Sequence, residues 1–246
     1  MESDPDIRSA PLDALAAAHG LGEGQTAALA RYVELVHGWR LGNVTAVRDR
    51  AAIVETLLGD SLALLDVPQL RERGASGWID LGAGAGIPGI PLAVALPDAD
   101  LTLLEAAAKK CAFLEEAVVA TGLQGRARVA CARSEQYAAV GAPGREAHGA
   151  VLARAVAALP VLVELAAPLL REGGVLLASK TVAGLAAEGP AAREAARLCG
   201  LAAEAPVPLP ASPLAGAVCA VYRKVAPTPA RLPRREGMAA KRPLSA

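Results

Sequence analysis

The chain has 246 residues, 53% of them apolar, with 25 basic and 25 acidic side chains; this is length enough for one domain with a substantial core, with or without an appendage. Its apolar content lies in Ala, Leu and Val, since aromatics make up only 2%, and no apolar run reaches the roughly 18 residues a bilayer span needs. The opening MESDPDIRSAPLD is acidic where a signal peptide would be basic and then apolar, and Cys111, Cys131, Cys199 and Cys219 form no C-x-x-C pair. A soluble, cytoplasmic protein with no metal centre is therefore expected.

Residues 1–75 read as an N-terminal helical layer, with helices over Pro11 to His19, Gly24 to about Leu41, and about Arg50 to Leu65. In the second, Leu29, Tyr32, Val33, Leu35, Val36 and Trp39 recur near helical spacing and predict one buried face. Gly42-Asn43-Val44-Thr45 breaks that pattern.

The chain then changes character at Gly77 to Glu105. Trp78, Ile79 and Leu81 make a short apolar strand around Asp80, followed at once by Gly82, Gly84, Gly86 and Gly89. Such spacing lets the backbone turn sharply and approach a ligand. A helix from about Pro88 to Leu96 directs its free N–H groups at that turn, where an anionic ligand group fits. A second strand, Leu101 to Leu104, ends in Glu105, about 20 residues beyond the glycines, where a carboxylate can accept hydrogen bonds from both hydroxyls of a ribose.

Alternation continues with a helix over about Ala107 to Thr121, a strand over Ala127 to Ala132, a strand over Gly149 to Ala155, and a helix over Ala157 to Arg171. Gly174 to Lys180 reads as the fifth strand, Val182 to Cys199 as a helix and Ala217 to Lys224 as the last strand. An α/β domain over 76–224 is expected, with a parallel sheet covered on both faces and ligands at the carboxyl ends of its strands. Its chemistry should sit at Gly82 to Gly86, Glu105, Arg133 to Glu135, Arg154, and Lys180 with Thr181.

The tail, 225–246, reads as basic and extended, with Pro227, Pro229 and Pro233 among its cations. From Arg223 onward the chain carries a net +6, leaving −6 on the preceding 222 residues. That asymmetry predicts a polyanionic partner.

Gly84 to Gly89 also satisfies the dinucleotide pattern G-x-G-x-x-G, so the string alone does not separate a nicotinamide enzyme from a methyltransferase. The wider run Asp80-Leu81-Gly82-Ala83-Gly84-Ala85-Gly86 resembles the first motif of S-adenosylmethionine methyltransferases. Further matches follow in order: Trp39, Asn43-Val44-Thr45 and Arg48; Asp60-Ser61; Pro88-Gly89-Ile90-Pro91; Lys109-Lys110 before Phe113-Leu114; Arg133-Ser134-Glu135; Arg154-Ala155; Lys180; and Pro233-Arg234-Arg235, Gly237 and Pro243-Leu244. Over nearly its whole length the chain thus resembles the small-subunit (16S) ribosomal RNA guanine-N7 methyltransferase G family, once called glucose-inhibited division protein B. It departs from the family at Leu57 (usually His), Gly42 (usually Tyr), Thr181 (usually Gly) and Leu232 (usually Tyr).

The resemblance implies a Rossmann-like class I methyltransferase, with a central mostly parallel sheet and helices on both faces, that moves a methyl group from S-adenosylmethionine to a guanine N7 in 16S rRNA. It implies cofactor binding by Asp80, Gly82, Gly84, Gly86 and Ile87 (Gly82 and Ile87 at the methionine end), by Glu105, Ala106 and Ala107 at the ribose, and by Ser134 and Glu135 at the adenine. Arg154, at the cofactor and guanine boundary, and Lys180 are the implied catalytic residues. Lys109, Lys110, Arg234, Arg235, Lys241 and Arg242 are the implied RNA contacts, and a monomer is expected. The alternative is a non-catalytic RNA-binding or ribosome-assembly paralogue that retains the fold, its support being the departures at Leu57 and Gly42. His19, His37 and His148 lie away from the strand ends and are read as structural or exposed.

Overall fold

The computed structural model describes residues 9–72 and 77–244; the boundary expected at 75/76 lies outside them. Eight strands form one sheet: β1 (Trp78–Leu81), β2 (Leu101–Glu105), β3 (Ala127–Cys131), β4 (His148–Arg154), β5 (Leu170–Thr181), β6 (Leu201–Ala203), β7 (Val207–Pro208) and β8 (Ala217–Lys224). Their spatial order is β3-β2-β1-β4-β5-β8-β6, with β7 also paired to β8. The first five run parallel, while β8 is antiparallel to β5 and to β6 and β7. Strand order reverses between β1 and β4, and the crevice outside their carboxyl ends is where such sheets bind ligands.

Side chains alternate across this sheet. Trp78, Leu101, Leu103, Ala150, Leu152, Val175 and Leu177 enter one apolar cluster. Ile79, Leu81, Leu104, Val151, Ala153, Leu176 and Ala178 enter a second. Both faces are buried, so the strands read as continuous apolar runs.

The first cluster is closed by α1 (Ala10–Ala18), α2 (Glu23–Gly38) and a helical stretch over 50–66 that comprises α3 (Arg50–Ala52), a π-helical turn (Ile53–Leu58), α4 (Gly59–Leu62) and a 3₁₀ turn (Ala63–Asp66). Next come α5 (Pro68–Glu72), α6 (Gly89–Ala95) and α7 (Ala108–Ala120). Gln25 on α2 donates through Nε2 to the carbonyls of Val94 and Ala95 at 3.0 Å, satisfying free acceptors at the end of α6. The helical layer is thus part of the sheet's own core.

The second cluster is covered by α9 (Leu159–Ala166) and α10 (Val182–Cys199), which follow the short α8 (Ser134–Tyr137). The helix expected to run to Arg171 ends at Ala166, gives way to a 3₁₀ turn over Ala167–Leu169, and β5 begins at Leu170. Pro168 has no N–H to continue the ladder.

The tail is not simply extended. Leu232 is 1% exposed and enters the second cluster, and Met238–Lys241 forms one helical turn, α11. None of the helices among the described residues is long and apolar enough to cross a membrane.

Candidate active site

The turn after β1 begins with Gly82 at φ +67°, a left-handed conformation that favours glycine, and a Cβ there would lie 3.2 Å from both methyls of Val156. Val156 belongs to the loop after β4, so Gly82 is where the two halves of the sheet come together. Gly89 opens α6, and its N–H donates to Oδ2 of Asp80 at 2.9 Å; a Cβ on Gly89 would lie 2.8 Å from that oxygen. Asp80 therefore fastens helix to strand from beneath the loop. It is fully buried, and its Oδ1 has no partner. Burial, and then the charge of Glu105, push its pKa up to about 7, against the opposing pull of the Gly89 N–H and of Arg154.

Tyr32, also fully buried, donates from its hydroxyl to the carbonyl of Ala85 at 2.6 Å. This ties α2 to the crown of the glycine turn. Burial, aided by the negative charge of Asp80, raises its pKa.

Glu105 is 8% exposed at the end of β2. Its Oε2 accepts from Gly84 N at 3.0 Å and its Oε1 from Ala106 N and Ala107 N at 2.9 Å each. A carboxylate has about four acceptor sites. Three are taken, so in this conformation Glu105 offers one more to a ribose hydroxyl rather than the two expected.

These elements border a cleft of about 490 Å³, within the range of small-molecule sites. Gly82, Glu105, Ala106, Ser134 and Glu135, which the resemblance assigns to the cofactor, line it together with Val156, Ala157, Val161 and Leu165. Ser134 is buried with an unpartnered Oγ. An orphaned hydroxyl and a carboxylate with spare capacity fit a nucleoside that brings both donors and acceptors.

Asp80, Gly84, Gly86, Ile87 and Ala107 are not in the lining. Asp80 works through the loop, Gly84 and Ala107 through their N–H groups on Glu105, and Ile87 is 7% exposed within the first cluster. Their contribution is to hold the loop's shape.

The two residues read as catalytic are both engaged. Arg154 donates from Nε to Oδ2 of Asp60 at 2.5 Å, and Oδ1 of Asp60 accepts from Ser212 Oγ at 2.6 Å. Asp60 is buried as the second residue of α4, two beyond the π turn's end at Leu58, so the Asp-Ser motif places the carboxylate that orients Arg154. The next residue, Ala155, has φ +54°, a strained conformation of the kind that clusters at functional sites.

Lys180 donates to Oε2 of Glu188 at 2.7 Å and to the carbonyl of Ala157 at 3.2 Å, and the same carboxylate oxygen accepts from Leu159 N at 2.5 Å. Lys180 thus braces the loop after β4 and the start of α9. Its geometry suits positioning better than contact with a substrate, because both partners hold the ammonium against the protein.

Among the expected RNA contacts, Lys109 is exposed on the first turn of α7 and lines an open groove with Arg40, Leu41, Gly42 and Ala112. Arg48 lies at an adjoining hollow with His37, Trp39 and Arg40. The sequence reading left out Arg40, Ser212 and Glu164, and it noted Asp60 only as part of a motif, with no role. Asp60 and Glu164 have partners remote in the chain, Arg154 and Ser212 for the first and Arg234 for the second.

Arg234 departs most from its expected role. Its Nε and Nη2 donate to Oε1 and Oε2 of Glu164 at 2.6 Å each, and Glu164 is 3% exposed. A guanidinium already forked onto a buried carboxylate is not available to phosphate. Arg235, Lys241 and Arg242 are exposed.

Three of the departures from the family pattern have structural roles. Leu57 is 4% exposed and Leu232 1%, both in apolar clusters, while Thr181 Oγ1 caps α10 by accepting from Gly184 N at 3.0 Å.

A parallel sheet of this order, a glycine turn at its reversal and an acid at the end of the neighbouring strand define a Rossmann-like class I methyltransferase fold. Solved structures agree. The S-adenosylmethionine-dependent methyltransferase SibL in its apo form superposes with a TM-score of 0.55 at 17% identity, covering 81% of this chain and 70% of that one. The O-methyltransferase NcsB1 from neocarzinostatin biosynthesis, in complex with S-adenosylmethionine, gives 0.51 at 21%, covering 67% and 55%.

The chain belongs to the rRNA small subunit methyltransferase G family, whose model matches residues 25–203. Ribosomal RNA small subunit methyltransferase G of Chloroflexus aggregans is 40% identical over 91% of this chain and 92% of its own length. That of Deinococcus radiodurans is 39% identical over 82% and 78%.

Proposed function

We propose that this protein methylates N7 of a guanine in the 16S rRNA of the small ribosomal subunit, with S-adenosylmethionine as donor, acting as a monomer in the cytoplasm. The observation that carries the reading is the union of family membership with a nucleoside-sized cleft at the sheet's reversal point, lined by Glu105 and the unpartnered Ser134. When bound, the cofactor supplies a methyl group on a positively charged sulfur.

Guanine N7 carries an in-plane lone pair and no proton, so this chain need provide no general base. Its work is to align the acceptor with the methyl group and to tolerate the positive charge that develops on the purine. Glu105 and Ser134 would hold the nucleoside, and the Gly82 backbone, packed on Val156, would admit the methionine end. Arg154, fixed by Asp60 at the end of β4, would orient the target nucleotide through its sugar or phosphate, since a cation against the purine face would oppose that charge. Lys180 would keep the loop bearing Val156 in place through Ala157.

The test is transfer of a labelled methyl group by the purified protein to small ribosomal subunits and to naked 16S rRNA, with chromatography of the digested nucleosides. Label in 7-methylguanosine is expected. Cofactor binding without any transfer would favour the non-catalytic paralogue instead.

A further inference from the structure

The segment 231–244 has two unlike faces. Arg231, Arg235, Lys241 and Arg242 are exposed, whereas Leu232 and Ala239 are buried and Arg234 points inward. The inward face is held at three places. Arg145 Nη1 donates to the carbonyl of Leu232 at 2.9 Å, and Arg234 forks onto Glu164 while its Nη2 also donates to the carbonyl of Arg242 at 2.7 Å. Gly237 N donates to Oε1 of Glu135 at 3.1 Å.

Two of these anchors belong to elements that line the cleft. Glu164 sits on α9 between the lining residues Val161 and Leu165, and Glu135 is itself in the lining. The strap completes the enclosure with Glu236, Gly237, Ala239 and Ala240.

We propose that this C-terminal strap is a wall of the cofactor cleft on the side of Ser134 and Glu135, latched by Arg234 on Glu164, and that Arg234 is a positioning residue for cofactor retention. The inference rests on reading the cleft as the S-adenosylmethionine site. The physical argument is that a ligand seated against Ser134 would lie beside residues 236–240, whose position is set by the buried fork two residues upstream. Without Arg234, Glu164 would be left buried and uncompensated, and α9 and the strap would separate to hydrate it.

The test uses S-adenosylhomocysteine as probe with the full chain, measuring its dissociation rate by stopped flow and its affinity by calorimetry. Arg234→Ala is expected to speed dissociation at least tenfold and to raise KM for the cofactor, leaving the salt dependence of RNA binding unaltered. The exchange Arg234→Glu with Glu164→Arg should recover most of the loss. Ala240→Phe, which leaves the latch intact and adds bulk to the lining, should weaken the probe at least tenfold without lowering Tm, and it decides the matter alone if Arg234→Ala does not fold. Wild-type kinetics in both single variants would overturn the proposal, as would lower RNA affinity with a flatter salt slope and unchanged probe binding in Arg234→Ala. A wild-type protein that does not bind the probe would refute the cofactor reading itself and the proposal with it.

Discussion

Replacing Asp80 by Asn should make stability depend on pH in a way the wild type does not. Asp80 is fully buried, one oxygen holds the Gly89 N–H, the other has no partner, and its pKa stands near 7 against about 3.9 in an unfolded chain. The native state therefore binds this proton more tightly than the unfolded state does. The resulting penalty is absent below about pH 4, grows as pH rises and is complete above about 7, where it is on the order of 4 kcal/mol. His148 works the other way: burial, and then the charge of Arg128, lower its pKa to about 4, so its contribution to stability is lost as pH falls from about 6.5 to 4. The two slopes oppose each other, and the wild type should be nearly flat between them. Asn keeps an acceptor for Gly89 N, removes the charge and introduces a buried amide donor pair costing about 1–3 kcal/mol. Asp80→Asn should thus be more stable than wild type at pH 8 by about 1–3 kcal/mol, and its advantage should shrink by about 2–3 kcal/mol at pH 5. Urea unfolding followed by Trp fluorescence at pH 5, 6.5 and 8 measures this, and a difference between the proteins that does not change with pH would refute the assignment.

Glu105→Gln should weaken S-adenosylmethionine and S-adenosylhomocysteine equally, by about 10- to 150-fold, because an amide can serve Ala106 N and Ala107 N but turns a donor towards Gly84 N; calorimetry that finds the two ligands unequally affected would contradict a ribose contact. Asp60→Asn should lower turnover on rRNA at saturating cofactor while sparing cofactor affinity, since it removes the charge that holds Arg154 and leaves one acceptor where Arg154 and Ser212 now use two. With Arg154 partly solvated, the loss of stability should stay below the roughly 3–5 kcal/mol of a fully buried pair, and unchanged turnover would remove Asp60 from the site.

The sheet was legible because burial on both faces leaves each parallel strand as an apolar run, and because Gly82, Gly84 and Gly86 punctuate the turn that a ligand needs. What escaped is weakly encoded. β6 and β7 have three and two residues and exist only by pairing with β8, and nothing periodic marks so short a segment. The strand-end rule located Glu105, Ser134 and Glu135, which lie in the cleft, and it placed Arg154 and Lys180 without their partners. Asp60 precedes Arg154 by 94 residues, and Glu164 precedes Arg234 by 70. A local pattern carries no trace of such pairs, so a cation that a carboxylate already holds looks in the sequence like one open to phosphate.

The tail shows how far that ambiguity distorts a count of charges. Of the seven cations from Arg223 onward, Arg223 is paired with Glu204, Lys224 is 1% exposed and donates to Thr228 Oγ1 and the Ala167 carbonyl, and Arg234 is held by Glu164. Arg231, Arg235, Lys241 and Arg242 remain on the surface. Each cation that neutralises a phosphate of single-stranded nucleic acid contributes about 0.7 to the salt slope, so the tail can supply at most about 3 units where seven open cations would supply about 5. A measured slope above 3 would therefore have to draw on other surfaces, and the groove of Arg40 and Lys109, with Arg48 in the adjoining hollow, offers three cations. The +6 from Arg223 onward thus divides by direction: the inward cations are already held by partners within the protein, and only the outward ones can answer to salt.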